Sequence, residues 1–93
     1  MSVRSSKVIQ KSHDEFWDKV WWNRHQVIAM EVEDGKQDSD SYFIKGCEAA
    51  KRIEEKYGID DLVLDDFEFG LLSGKMSALA WVLGSEWEES LDT

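Results

Sequence analysis

From Phe16 onward, apolar residues recur at helical rather than strand spacing. Phe16, Val20, Val27 and Ile28 fall on one stripe, with Trp17, Trp21 and Arg24 on the adjoining one. Ser12 and Glu15 have the spacing of a capping box, in which each side chain satisfies a free amide of the first turn. Asp14 and Glu15 also suit the positive end of a helix dipole. The pattern predicts a first helix from Ser12 to near Asp34, with Gly35 as a left-handed cap. That is about 21 residues, or some 30 Å at ~1.5 Å per residue.

The polar stretch GKQDSD at 35–40 is short enough to join two antiparallel helices. A second helix is predicted from Asp40 or Ser41, with Phe43, Cys47, Ala50, Ile53 and Tyr57 as its apolar stripe. Gly58 stops it, and Ile59 offers the apolar contact of a Schellman ending. Residues 59–66, IDDLVLDD, read as a link in which Leu62, Val63 and Leu64 make at most a brief extended segment. Asp65 and Glu68 repeat the capping-box spacing and open a third helix that runs to Leu83 and stops at Gly84. Trp87 and Leu91 then fold back as a short final turn. The expected fold is all-α: a long antiparallel hairpin plus a third helix and a C-terminal turn. Residues 12–93 form one domain, and residues 1–11 a flexible basic arm.

Composition narrows the function. The chain has 93 residues and a net charge of −9, with no proline and one cysteine. One domain of this size leaves little room for both a core and a deep pocket. The arm carries Arg4, Lys7 and Lys11 and no acid, so the domain itself is more acidic than the total. Such a surface repels nucleic-acid phosphate and anionic lipid, and attracts a basic partner. No apolar run approaches the roughly 18–20 residues of a membrane span. The amino terminus lacks the apolar stretch of a secretory signal. Cys47 alone makes neither an internal disulfide nor a multi-thiolate zinc site, and it fits a cytoplasmic protein.

From Asp66 the chain reads DFEFGLLSGKMSALAWVLGSEWEESLDT. Asp66, Phe67 and Glu68 lead into Gly70, Gly74 and Lys75. Ser77 to Leu79, Trp81 to Gly84, Glu86 and Trp87 follow, and the run closes with Leu91, Asp92 and Thr93. This segment resembles the carboxy-terminal signature of a family of short, uncharacterised bacterial proteins. Phe16, Trp17, Trp22, Asn23, Arg24 and His25 resemble that family's first helix as well. The resemblance implies a small protein of its own and carries no reaction.

Candidate chemistry is thin. GLLSGKMS at 70–77 is one residue short between its glycines for a phosphate-binding loop, and Met76 separates Lys75 from Ser77. The better reading is packing. Gly70, Gly74, Ser77 or Ala78, and Trp81 share one side of a helix, where small residues admit a second helix. That helix belongs either to this fold or to a second subunit. His13 and His25 are too few and too far apart for a metal site. Asp60, Asp61, Asp65 and Asp66 cluster in a loop, where weak divalent-ion binding is the alternative to solvation. Nucleophilic catalysis has no clear team: Ser73 and Ser77 lie in a helix, and Cys47 is expected to pack as a small apolar group. No catalytic residue, cofactor or enzymatic activity is predicted.

The tryptophans are the strongest feature. Trp17, Trp21 and Trp22 occur within six residues, with Trp81 and Trp87 later. Trp21 and Trp22 point about 100° apart on a helix, so both do not fit one narrow seam. Trp17 and Trp21 are expected in the core, and Trp22 with Arg24 or His25 at an edge, as a contact site. The competing reading buries the whole face beneath the third helix and tail. An aromatic face exposed on a monomer would call for a partner, and a homodimer is expected. The function expected is therefore a non-enzymatic protein–protein interaction module or subunit. Its surface would comprise Trp17, Trp21, Trp22, Arg24, His25, Gly70, Gly74, Trp81 and Trp87. The alternative is an acidic decoy that occupies the groove of a basic nucleic-acid-binding protein.

Overall fold

A computed structural model describes residues 2–35 and 40–87. Four helices follow in order: α1 Ser6–Glu33, α2 Ser41–Tyr57, α3 Ile59–Leu62 and α4 Asp66–Val82. The described residues contain no strand. The all-α expectation and the hairpin of two long helices both hold.

The start of α1 corrects the sequence reading. The helix begins at Ser6, not Ser12, so most of the expected arm is helical. Ser5 is the cap, and its Oγ accepts from the Val8 amide at 3.3 Å. No Gly or Pro separates Ser6 from Ser12. An interior serine costs only a few tenths of a kcal/mol in a helix, too little to end one. The other ends match their signals. Gly35 and Gly58 take φ of 77° and 85°. Asp40 caps α2 by accepting from the Phe43 amide at 2.8 Å. Asp65 and Glu68 close a reciprocal capping box at 2.7 and 3.2 Å.

The link after Gly58 is one helical turn, α3, rather than extended chain. Ile59 is exposed, and Gly58 has ψ 143°, outside the left-handed helical geometry of a Schellman ending. The anchor is Leu62, fully buried. Asn23 fixes the same turn: its Nδ2 donates to the carbonyls of Lys19 and Leu62, both at 2.8 Å.

The packing is a row rather than a closed bundle. α1 is the spine, touched by every other helix, while α2 and α4 do not meet. The molecule is accordingly elongated, 51 × 29 × 26 Å. α2 runs antiparallel to α1. Phe43 stacks on His25 near one end, and the Tyr57 hydroxyl donates to Asp18 at 3.1 Å near the other. Trp22, Ala50 and Leu62 form the core, with Trp21, Ile53 and Tyr57 packed around it. Val20, Met76 and Ala80 are also buried.

Two stripes differ from expectation. On α1, Val27 and Ile28 are exposed, because the stripe there turns past the covered side. On α2, Cys47 is exposed, and Gly46 takes the inward place between Phe43 and Ala50. The His25 ring explains the exchange. A Cβ at Gly46 would lie 3.0 Å from His25 Cε1, so a glycine there spares the ring a shift of a few tenths of an ångström.

Candidate interaction surface

The nine residues singled out from sequence divide into two groups on different sides of the molecule. The first lies between α1 and α2. Trp22 is buried, 6% exposed, and its Nε1 donates to Glu54 Oε1 at 3.1 Å. His25 is buried at 7%. Trp17, expected in the core, is exposed, and Trp21 is half-buried. The expected order of burial is thus reversed. A single seam was assumed, but α2, α3 and α4 all contact α1, so its covered arc is wider. Trp22 is tolerated inside because Glu54 satisfies its one polar atom. Arg24 is exposed, as expected.

His25 sits in an aromatic stack. Its centroid lies 5.0 Å from Trp21 and 5.5 Å from Phe43, with the rings nearly parallel. These rings, with Arg24, Ile28, Tyr42 and Gly46, line a groove of about 320 Å³. Burial pushes the His25 pKa below the ordinary value of 6.5, against an opposing pull from Glu54. As pH falls below 6.5, the unfolded chain protonates here before the folded chain does. Stability is therefore full above that value and is lost as pH drops toward the folded pKa. Thermal melts at about pH 7.5 and 5.5 check this. The wild type is expected to lose more than His25→Phe over that interval. Equal losses would remove His25 from the pH response.

The second group lies on α4. This helix is apolar almost all round, a pattern that belongs inside a large core or against a partner. Here only α1 covers it, so one side is buried through Met76 and Ala80. The outward side carries Phe67, Gly70, Leu71, Gly74, Lys75, Ala78, Trp81 and Val82, all exposed. A Cβ on Gly70 or Gly74 would meet nothing within 4 Å. Among the described residues no helix uses the glycines for close approach, so there the intrachain packing reading is corrected. Trp87 stacks on Trp81 at 5.3 Å, which places the expected fold-back at Trp87. Leu91 lies outside the described residues.

Sequence reasoning missed Phe67, Leu71 and Val82 as surface residues, and Phe43 and Gly46 as neighbours of His25. The 67, 71, 74, 78, 81, 82 spacing was legible. What hid it is that the spacing does not say which side of an apolar helix its neighbours cover.

Other chemistry does not assemble. Residues 70–77 lie inside α4, so they form no phosphate-cradling loop. Among the described residues no three His, Cys, Asp or Glu side chains gather to hold a metal, Asp60 to Asp66 included. Among the described residues Ser73 Oγ is buried without a hydrogen-bond partner. No helix among the described residues is long and apolar enough to cross a membrane. No family model, curated protein or solved structure matches this chain.

Proposed function

We propose that this chain is a small non-enzymatic interaction subunit of the cytoplasm, binding protein through the outward face of α4. One observation carries the reading. Among the described residues, a 17-residue helix, apolar on nearly every side, is covered on one side only. Phe67 is left 77% exposed and Leu71, Trp81 and Val82 about half exposed. Isolated exposed apolar residues need no explanation, but a contiguous face of this kind marks a contact site. Trp81, on this face, is also of a residue type enriched at interface hot spots.

Such binding resists salt, because it rests on apolar burial. Binding through the acidic surface does not, since the screening length falls from about 10 Å at 0.1 M salt to 3 Å at 1 M. The test is capture from native lysate at about 0.1 M and 1 M salt, with wild type and Leu71→Asp compared. A stoichiometric partner is expected to survive high salt and to be lost with Leu71→Asp. Capture of basic proteins only, washed off by salt and indifferent to Leu71→Asp, would overturn the reading in favour of the acidic decoy.

A further inference from the structure

The outward face of α4 reads alike in both directions from Gly74. Gly70 and Ala78 stand four residues to either side, and Phe67 and Trp81 seven residues to either side. All five are exposed. Small residues at the centre and rings at the ends suit a second helix crossing at an angle. The axes come closest over the small residues and diverge where the rings fill the widening gap. An antiparallel copy of α4 presents the same order in reverse. Gly74 then meets Gly74, Gly70 meets Ala78, and Phe67 meets Trp81.

Charge and area agree with this occupant. Lys75 lies at one edge of the face, with Glu68 two turns before it on the same edge and Asp66 exposed at the opposite edge. The two-fold pairing sets Lys75 about five residues of rise, roughly 8 Å, from Glu68 of the second copy, within reach of a lysine side chain. It therefore opposes a carboxylate despite the net charge of −9 on each chain. Phe67, Leu71, Trp81, Val82 and Trp87 together leave roughly 500 Å² of side-chain surface open, given 150–250 Å² for a whole aromatic ring. Two such faces together bury about 1,000 Å², the low end of the interface range, which fits a weak, reversible dimer.

Resting on the interaction reading above, we infer that the occupant is a second copy of this chain, paired antiparallel through α4 about a two-fold axis at Gly74. Sedimentation equilibrium of the full chain from about 1 to 200 µM tests it. A reversible dimer is expected, with Gly74→Leu weakening it at least ~30-fold. The monomer keeps its helicity by circular dichroism, because leucine is the better helix former and the space above Gly74 is open. Register is read by oxidation in a Cys47→Ser background. Gly74→Cys forms a symmetric disulfide. Gly70→Cys does so at least ~10-fold more slowly, since its copies lie too far apart along the axis. A dimer untouched by Gly74→Leu, or equal crosslinking at both positions, overturns the pairing. A chain that stays monomeric throughout also overturns it. The face is then open to a different protein, and the Leu71→Asp capture decides the broader reading by itself.

Discussion

Trp22→Ala is expected to lower the stability of the fold by about 3–5 kcal/mol, as truncation of a buried aromatic does. A domain of this size has roughly 5–10 kcal/mol in total, so the variant would lose about a third of its stability or more. Two losses combine. The indole leaves a void against Ala50 and Leu62, the other members of the core. Glu54 also loses the donor that meets it at 3.1 Å. Trp22→Phe separates the two, since it keeps most of the ring and removes only the hydrogen bond. Glu54 is half-buried and reaches water, so that variant is expected to lose only about 1 kcal/mol. The comparison residue is Trp17, exposed on the same helix, for which replacement by alanine should cost well under half as much. Urea titrations followed by circular dichroism measure all three. A Trp17→Ala loss as large as that of Trp22→Ala would mean that the core lies on the other side of α1.

That ranking inverts what the sequence suggests, and the reason is instructive. Helix ends and helix type were legible because their causes are local. Asp40 and Asp65 cap through their own neighbours, and Gly35 and Gly58 turn the chain by their own φ. Burial within a helix has no local cause. Whether Trp17 or Trp22 points inward depends on where α2 and α3 lie around α1, and on Glu54, 32 residues away, being present to accept the indole proton. The exchange of Cys47 for Gly46 has the same origin, because the ring that would be crowded by a Cβ belongs to another helix. Ser12 failed as a cap for a different reason. A capping box is permitted wherever its residues stand, but it starts a helix only if nothing upstream continues the helix, and Ser5 capped it first.

The candidate surface was half legible. Gly70, Gly74, Trp81 and Trp87 were singled out as interaction residues and all lie exposed on α4 or beside it, whereas Trp22 and His25 are inside. Small residues at helical spacing say that something approaches closely, but not whether it comes from the same chain. Only the separation of α2 from α4 answers the intrachain half of that question.

Leu62→Ala is expected to cost about 3 kcal/mol, within the 2–5 kcal/mol range for a leucine truncated in a core. It should also do more than its size implies. A single turn such as α3 has no stability of its own, because nucleating a helix is unfavourable and nothing follows to repay it. The turn persists because Leu62 is fully buried and because Asn23 holds its carbonyl at 2.8 Å. Those two contacts set the point from which α4 departs. Removing the side chain loosens the backbone that Asn23 grips, so Leu62→Ala and Asn23→Ala should be non-additive, as contacts within one unit are. Native-state hydrogen exchange should show faster opening across residues 59–69 than in α2. The adjacent Val63 is 61% exposed, and Val63→Ala is expected to change stability by no more than about 0.5 kcal/mol. Equal losses for Leu62→Ala and Val63→Ala would show that α3 is not the anchor. The placement of α4, and with it the direction its apolar face presents, would then need a different cause.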